Sequence, residues 1–473
     1  MKINQLNIIS FLLASSVLGA CHKELNVYPT TQEVDGNIIS DAKSATTALN
    51  GVYYQFAAGG ADFNGVPSTK WYSINEQPAA QLSGMVSYTF GGGGLDEHRY
   101  NSKTSGIDFA WTNGYSLINA ANGFLKNIAP VSAISSTVKR GMIAEAKFLR
   151  AYGNSEVLLY YGQYDDTTSA GGIILHNGFI TPTDLALPRS TVGAAYDTII
   201  SDLEAAIPDL PGQNTSIAYA NAWAAKLLEA RVLINRGSPA DYVRVITLTK
   251  DIIANGPFVL EANVRDIFWT KGLTSQEVML GVQPYANQNI KWTDYIRYDS
   301  YSPNSFSTGL LSGDPRASWY MQTVNNPYGH HVALTKYYPG SATNIVPLPI
   351  TENGYAFRLT EAYLLEAEAI VASGGSLADA KTLLKTVLAH AGFTDFSKVD
   401  NAVTAADVQL QIIEEEMVNF VSEAGQDWFA VRRLPFATLQ NLLPSVKNKS
   451  LLILPIPDAE ITANPQLKQN PNY

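Results

Sequence analysis

The chain has 473 residues, 46% of them hydrophobic and 16% charged, with a formal charge of -10. That composition is globular, with room for one large or two medium cores, and its acidic balance argues against a nucleic-acid surface or a polybasic membrane patch, which need clustered Lys and Arg. The single cysteine, Cys21, excludes disulfide staples, CxxC redox chemistry and cysteine-based zinc sites.

Lys2, the apolar run Ile8 to Leu18 and the small residues before Cys21 read as an export signal over residues 1–20. The run is too short for the roughly 18 apolar residues that cross a bilayer. Leu18-Gly19-Ala20-Cys21 resembles the bacterial lipobox, whose cysteine is lipidated and becomes the first mature residue. A multi-chain acyl anchor at Cys21 holds a soluble body on a membrane, because each buried methylene contributes about 0.8 kcal/mol. A plain secreted protein with an incidental cysteine is the alternative. Residues 21–40, polar around Pro29, Thr30 and Thr31, read as a tether.

Helical spacing begins at Asp41, which can cap a helix running to Phe56 with Ala45, Leu49, Val52 and Phe56 on one face. Residues 57–105 break into Gly- and Pro-rich loop, a length of irregular chain that is usually functional or disordered. Helices are predicted over 108–128, 136–161, 190–207, 219–235 and 239–254. Residues 256–349 are again mostly helix-free and rich in Tyr, Trp, Asn, Pro and Gly. Helices resume over 355–372, 377–390 and 405–421, and the prolines of 451–473 favour an extended strap.

Inside the helices a hexamer of the form Ala-x-apolar-Leu-x-Ala recurs at 146–151, 225–230 and 362–367. Small Ala residues let paired helices approach while large neighbours fill the next groove, as in stacked tetratricopeptide units. Ala and Leu are also simply good helix formers.

No GxSxG, HExxH, Walker A or helix-opening GxGxxG pattern occurs. Gly91 to Gly94 lacks the lysine and following helix that a phosphate cradle needs. His330-His331 has no nearby carboxylate or third histidine in sequence to complete a metal site, and Glu414 to Glu416 fan around a helix as a solvated face with at most one residue turned inward. Neither a cofactor nor a metal is expected.

The aromatic residues are more informative. Trp71 and Tyr72 fall in the first irregular segment; Tyr285, Trp292, Tyr295, Tyr298, Tyr301, Trp319 and Tyr320 crowd the second. Such density outside periodic helices predicts an exposed platform for sugar rings, with Asn289, Asp294, Arg297 and Asp299 interleaved to bind hydroxyls. The other reading of each ring is that it pins its loop to the helical body.

Taken in order, the lipobox, Asp41-Ala42 to Tyr53, Asp108-Phe109-Ala110-Trp111 with Tyr115, Ile118 and Asn122, Glu145 to Ala151, Pro188-Arg189, Gly313-Asp314-Pro315-Arg316, Arg358 to Leu364, and the closing Pro455-Ile456-Pro457 through Tyr473 resemble the SusD/RagB family. The resemblance implies a mainly α protein: four tetratricopeptide-like helix pairs as one domain over 41–473, with ligand loops at about 57–105 and 256–349. It implies an outer-membrane lipoprotein without catalysis, lying as a lid over a SusC-type TonB-dependent transporter and delivering nutrients, most often oligosaccharides, to it. Some relatives prefer peptides, and a purely structural or adhesive surface lipoprotein is a further alternative.

The ligand-binding expectation rests on Trp71, Tyr72, Asn289, Trp292, Tyr295, Arg297, Tyr298 and Tyr301. The family's late Arg-Trp-x-Asp-Leu-x-Arg segment here reads Asp427-Trp428-Phe429-Ala430-Val431-Arg432-Arg433, so its usual Arg and Asp contact is not expected. Asp314 and Arg316 are expected to be structural.

Overall fold

The computed structural model describes residues 38–92, 94–180 and 186–473. The export signal, Cys21 and most of the tether lie outside the described residues. The fold is mainly α, a stack of tetratricopeptide-like helix pairs. Asp41 accepts from the Ser44 amide and caps the Ala42–Phe56 helix, whose Ala45, Leu49, Val52 and Phe56 are buried as the spacing predicts. That helix packs on Phe109–Ile128 and Ser136–Tyr161, which lie along each other; Val192–Ala206, Ala222–Arg236 and Pro239–Asn255 follow, each against its predecessor.

The next member of the stack is Leu359–Ala372, which packs on Pro239–Asn255 although about a hundred residues separate them in sequence. Leu377–His390 and Ala405–Asn419 then pack on Leu359–Ala372. The second irregular segment is therefore an excursion from a continuous scaffold. Short strands pair antiparallel within the irregular segments: β1 (Gly59–Ala61) with β2 (Pro67–Thr69) in the first, and β4 (Val278–Val282) with β8 (Gly354–Arg358) across the second, Val282 opposite Gly354. The expected helix over 355–372 is thus strand for its first residues. Its run Tyr355, Ala356 and Phe357 is buried on both faces, which suits a strand as well as a helix.

The repeated hexamer faces the core at all three positions: Ala146, Phe148, Leu149, Ala151, Ala225, Leu227, Leu228, Ala230, Ala362, Leu364, Leu365 and Ala367 are buried. Where Phe109–Ile128 crosses Ser136–Tyr161, a Cβ at Gly114 would stand 2.4 Å from Val157 Cγ2.

Buried ion pairs tie the excursion to the scaffold. At the end of β8, Arg358 donates to Glu277 Oε1 (2.8 Å) and Glu423 Oε2 (2.7 Å), and Lys336 also pairs with Glu423. Burial pushes the Lys336 ammonium down to about 7. Arg316 pairs with Asp314 and Glu415, both at 2.7 Å, and so is structural as expected. Glu415 and Glu416 are both buried and paired, Glu416 with Arg433 at 2.5 Å, which corrects the solvated-face expectation. Asp427 contacts neither following arginine: it accepts from Ser83 Oγ (3.1 Å) and the Ser422 amide (3.3 Å), and burial pushes its carboxyl up to about 7. The closing strap holds, interrupted by short helices at Lys449–Leu452 and Asp458–Ala463.

Candidate ligand-binding face

The two irregular segments meet in a small antiparallel pair. β3 (Ser87–Tyr88) lies against β5 (Tyr301–Ser302), with Tyr88 opposite Tyr301. The Thr89 amide donates to Ser300 O (3.0 Å), and Asn304 Nδ2 donates to Gly84 O and Ser87 Oγ, both 2.9 Å. This pairing sets three rings in a row. Tyr88 stands 5.4 Å from Tyr301 and 5.7 Å from Phe90, which is 62% exposed.

A second pair flanks the row. β6 (Met321–Asn326) and β7 (Gly329–Leu334) form a hairpin whose tip carries Tyr328, 67% exposed and 6.0 Å from Tyr298. β7 packs beside β5, so the hairpin adjoins the row. The Arg297 guanidinium is solvent-exposed and lies 5.1 Å over the Tyr298 ring.

Polar groups sit between the rings. Asp299, at φ 53°, accepts from Ser302 Oγ and lies 3.7 Å from His331 Nε2, so His331 does face a carboxylate that sequence distance concealed. Burial pushes the Asp299 carboxyl above the usual range. Burial, with the neighbouring Glu352 charge, pushes Asp294 up to about 6, and burial likewise carries the Tyr301 hydroxyl to about 12. The arrangement offers flat apolar ring faces, an exposed guanidinium and partly buried carboxyls, a set that can stack on sugar rings and bond their hydroxyls.

Four of the sequence-predicted site residues lie elsewhere. Trp71, Tyr72, Trp292 and Tyr295 are core residues, between 1% and 5% exposed, which corrects the expectation that they form an exposed platform. Trp71 fills the space left by Gly354, where a Cβ would stand 2.5 Å from the indole, and sits 5.1 Å from Phe56. Tyr72 meets Tyr295 edge-on at 5.2 Å. Both lie in single π-helical turns, Tyr72–Glu76 and Thr293–Arg297, that follow Trp71 and Trp292 and turn these rings inward. Trp319 and Tyr320 are buried as well.

Asn289 is half-buried at the start of the Ile290–Trp292 turn, and Glu352 accepts from the Lys291 (3.0 Å) and Trp292 (2.8 Å) amides to anchor it. Arg297, Tyr298 and Tyr301 are brought together on the face. Sequence reasoning missed Tyr88, Phe90 and Tyr328; the usable signal was an alternating aromatic pair before a glycine run and an aromatic at a Pro-x-Gly hairpin tip.

Among the described residues no helix is long and apolar enough to cross a membrane. Residues 75–234 match a family model described as "Starch-binding associating with outer membrane", and residues 322–451 match one described as "SusD family". A curated SusD-like protein from Bacteroides ovatus is 24% identical over 184 residues, 37% of this chain and 32% of that protein, so the match spans about a third of the relative's length. A solved SusD superfamily protein from Bacteroides thetaiotaomicron superposes with a TM-score of 0.74 at 22% identity, covering 91% of this chain and 100% of the other. A laminarin-binding SusD-like protein gives 0.70 at 21% identity over 92% and 100% of the two chains, and NanU of B. fragilis gives 0.72 at 18% over 94% and 100%. With matches to the SusD models in both halves of the helix stack and this fold throughout, the chain belongs to the SusD/RagB family.

Proposed function

We propose that this protein is a cell-surface binding lipoprotein, anchored through Cys21, that captures an oligosaccharide or polysaccharide on its aromatic face and delivers it to a SusC-type TonB-dependent transporter. The observation that carries the reading is the row of Phe90, Tyr88 and Tyr301 beside Tyr298 and Tyr328, open to solvent at Phe90 and Tyr328 and half-buried at the other three rings. Stacking on such rings contributes about 0.5–1.5 kcal/mol each beyond area burial. Arg297, Asp299 and His331 bond hydroxyls between the rings, and Asn289 lies at the margin. Family membership and the laminarin-binding relative support a glycan, and the chemistry is binding without turnover.

Two measurements test the reading: retention of a panel of neutral glycans by the purified protein, and co-purification of a TonB-dependent transporter from the native outer membrane. Glycan retention together with transporter recovery supports it. Retention of peptides in place of every glycan would overturn the ligand class, and recovery without any transporter would overturn the delivery role.

A further inference from the structure

On the scaffold, away from every residue of the aromatic face, a cavity of about 410 Å³ opens between the end of the Ala222–Arg236 helix, the start of Pro239–Asn255 and the turn after Gln426–Val431. Four cationic side chains line it: Arg236, Arg432, Arg433 and Lys449. The carboxylate in its lining is Asp165, at the exposed rim. In a chain of formal charge -10 the lining itself is cation-rich.

The four cations are not equivalent. Arg236 is held by Asp241 at 2.5 Å, with the exposed Asp197 4.0 Å from its Nη1, and Arg433 by Glu368 at 2.7 Å and Glu416 at 2.5 Å; none of these four carboxylates belongs to the cavity lining. They fix the two guanidiniums without covering the cavity side. Arg432 is different. It is 4% exposed, and its Nη1 donates to Leu159 O (2.6 Å) and Leu452 O (2.8 Å). Its Nε and Nη2 have no hydrogen-bond partner among the described residues.

The Tyr164 ring lies 4.1 Å from that guanidinium and Phe429 4.9 Å, which offsets part of the desolvation but supplies no acceptor. A buried guanidinium with no bonded carboxylate is strongly disfavoured, and Glu156, whose carboxyl feels the Arg432 charge, is itself pushed up to about 8 by burial. Asn235, buried in the same wall, has an unpartnered Oδ1, an acceptor suited to a hydroxyl. Guanidiniums held flat and fixed from behind are the arrangement that recognises the planar or tetrahedral oxygens of an oxyanion.

We propose that this cavity binds a small oxyanion group, phosphate, sulfate or carboxylate, against Arg432 and Arg236, with Lys449 closing over it from the rim and Asn235 accepting from an adjacent hydroxyl. The group can be a free inorganic ion or the anionic substituent of a glycan. The inference goes beyond the glycan-capture reading and does not depend on it, since the two sites share no residue.

The test uses detergent-solubilised full-length protein titrated at low ionic strength with inorganic phosphate, with sulfate, with a sulfated or uronate-containing oligosaccharide, and with chloride as control. Wild type is expected to bind at least one of the first three and to gain thermal stability from it at a concentration where chloride gives none. Lys449 is exposed and unpaired among the described residues, so Lys449→Ala folds normally, and it is expected to weaken that binding about tenfold. Lys449→Glu is expected to abolish it. Binding of the inorganic ions alone identifies a free-ion site; binding of the charged oligosaccharide alone identifies a glycan substituent. Equal stabilisation by chloride, no binding in wild type, or affinity unchanged in Lys449→Ala and Lys449→Glu overturns the proposal. Phe90→Ala serves as the control for the other site and is expected to leave oxyanion affinity unchanged.

Discussion

The Tyr295 hydroxyl lies 2.7 Å from Ser422 Oγ, joining the turn that carries Arg297 and Tyr298 to a scaffold segment 127 residues later. That segment is tightly specified. Ser422, Ala424 and Gly425 all adopt positive φ, and Tyr337 donates to Val421 O (2.9 Å) and Ser422 O (2.7 Å). Tyr295→Phe removes the hydrogen bond while keeping the ring. It is expected to cost about 1 kcal/mol of stability, read by chemical denaturation.

Buried and exposed rings should separate cleanly. Trp292, 5% exposed, belongs to the core, so Trp292→Ala is expected to cost about 3–5 kcal/mol of stability. Tyr328, 67% exposed at a hairpin tip, should do the opposite. Tyr328→Ala is expected to leave unfolding nearly unchanged and weaken glycan affinity about fivefold. Paired denaturation and calorimetry on the two variants check both statements.

The helix crossing at Gly114 leaves no room for a methyl group, because Val157 Cγ2 stands 2.4 Å and Gly153 O 3.2 Å from the place it would occupy. Gly114→Ala should destabilise the protein by about 1–3 kcal/mol despite Ala's better helix propensity. Adding Val157→Ala should recover part of the loss. A thermal midpoint at or above wild type in the single variant would contradict this packing.

Burial pushes the Glu156 carboxyl up to about 8, with Arg231 and Arg432 only partly offsetting it. Its proton is therefore kept in the native state over a range where the unfolded chain has released it. Between the usual carboxylate range and about 8 the native state binds more protons, so stability falls as pH rises through that window. Glu156→Gln mimics the protonated form. It is expected to match wild type near about pH 5 and exceed it near about pH 9, by thermal unfolding at each pH.

Much of the scaffold was legible in the sequence because helical periodicity is local. The Asp41 cap, the recurring Ala hexamers and the helices that carry them needed no distant information. The strand at 354–358 did: its partner is β4, more than 70 residues earlier. The face was legible only by region. Which ring turns outward is decided by long-range contacts: Gly354 makes room for Trp71, Glu352 anchors the Trp292 turn, and β3 meets β5 to expose Phe90. Residue type placed the aromatics in the right segments, while π-helical turns without a sequence period inverted four of the eight expected positions.

The most direct test of the account is calorimetric titration of whichever glycan the wild-type protein retains, repeated on the Phe90→Ala, Tyr328→Ala double variant. Loss of about two such stacking contacts predicts at least a tenfold weaker affinity with an unchanged unfolding midpoint. Undiminished affinity in that double variant, with the same stoichiometry, would contradict the assignment of the ligand to this face.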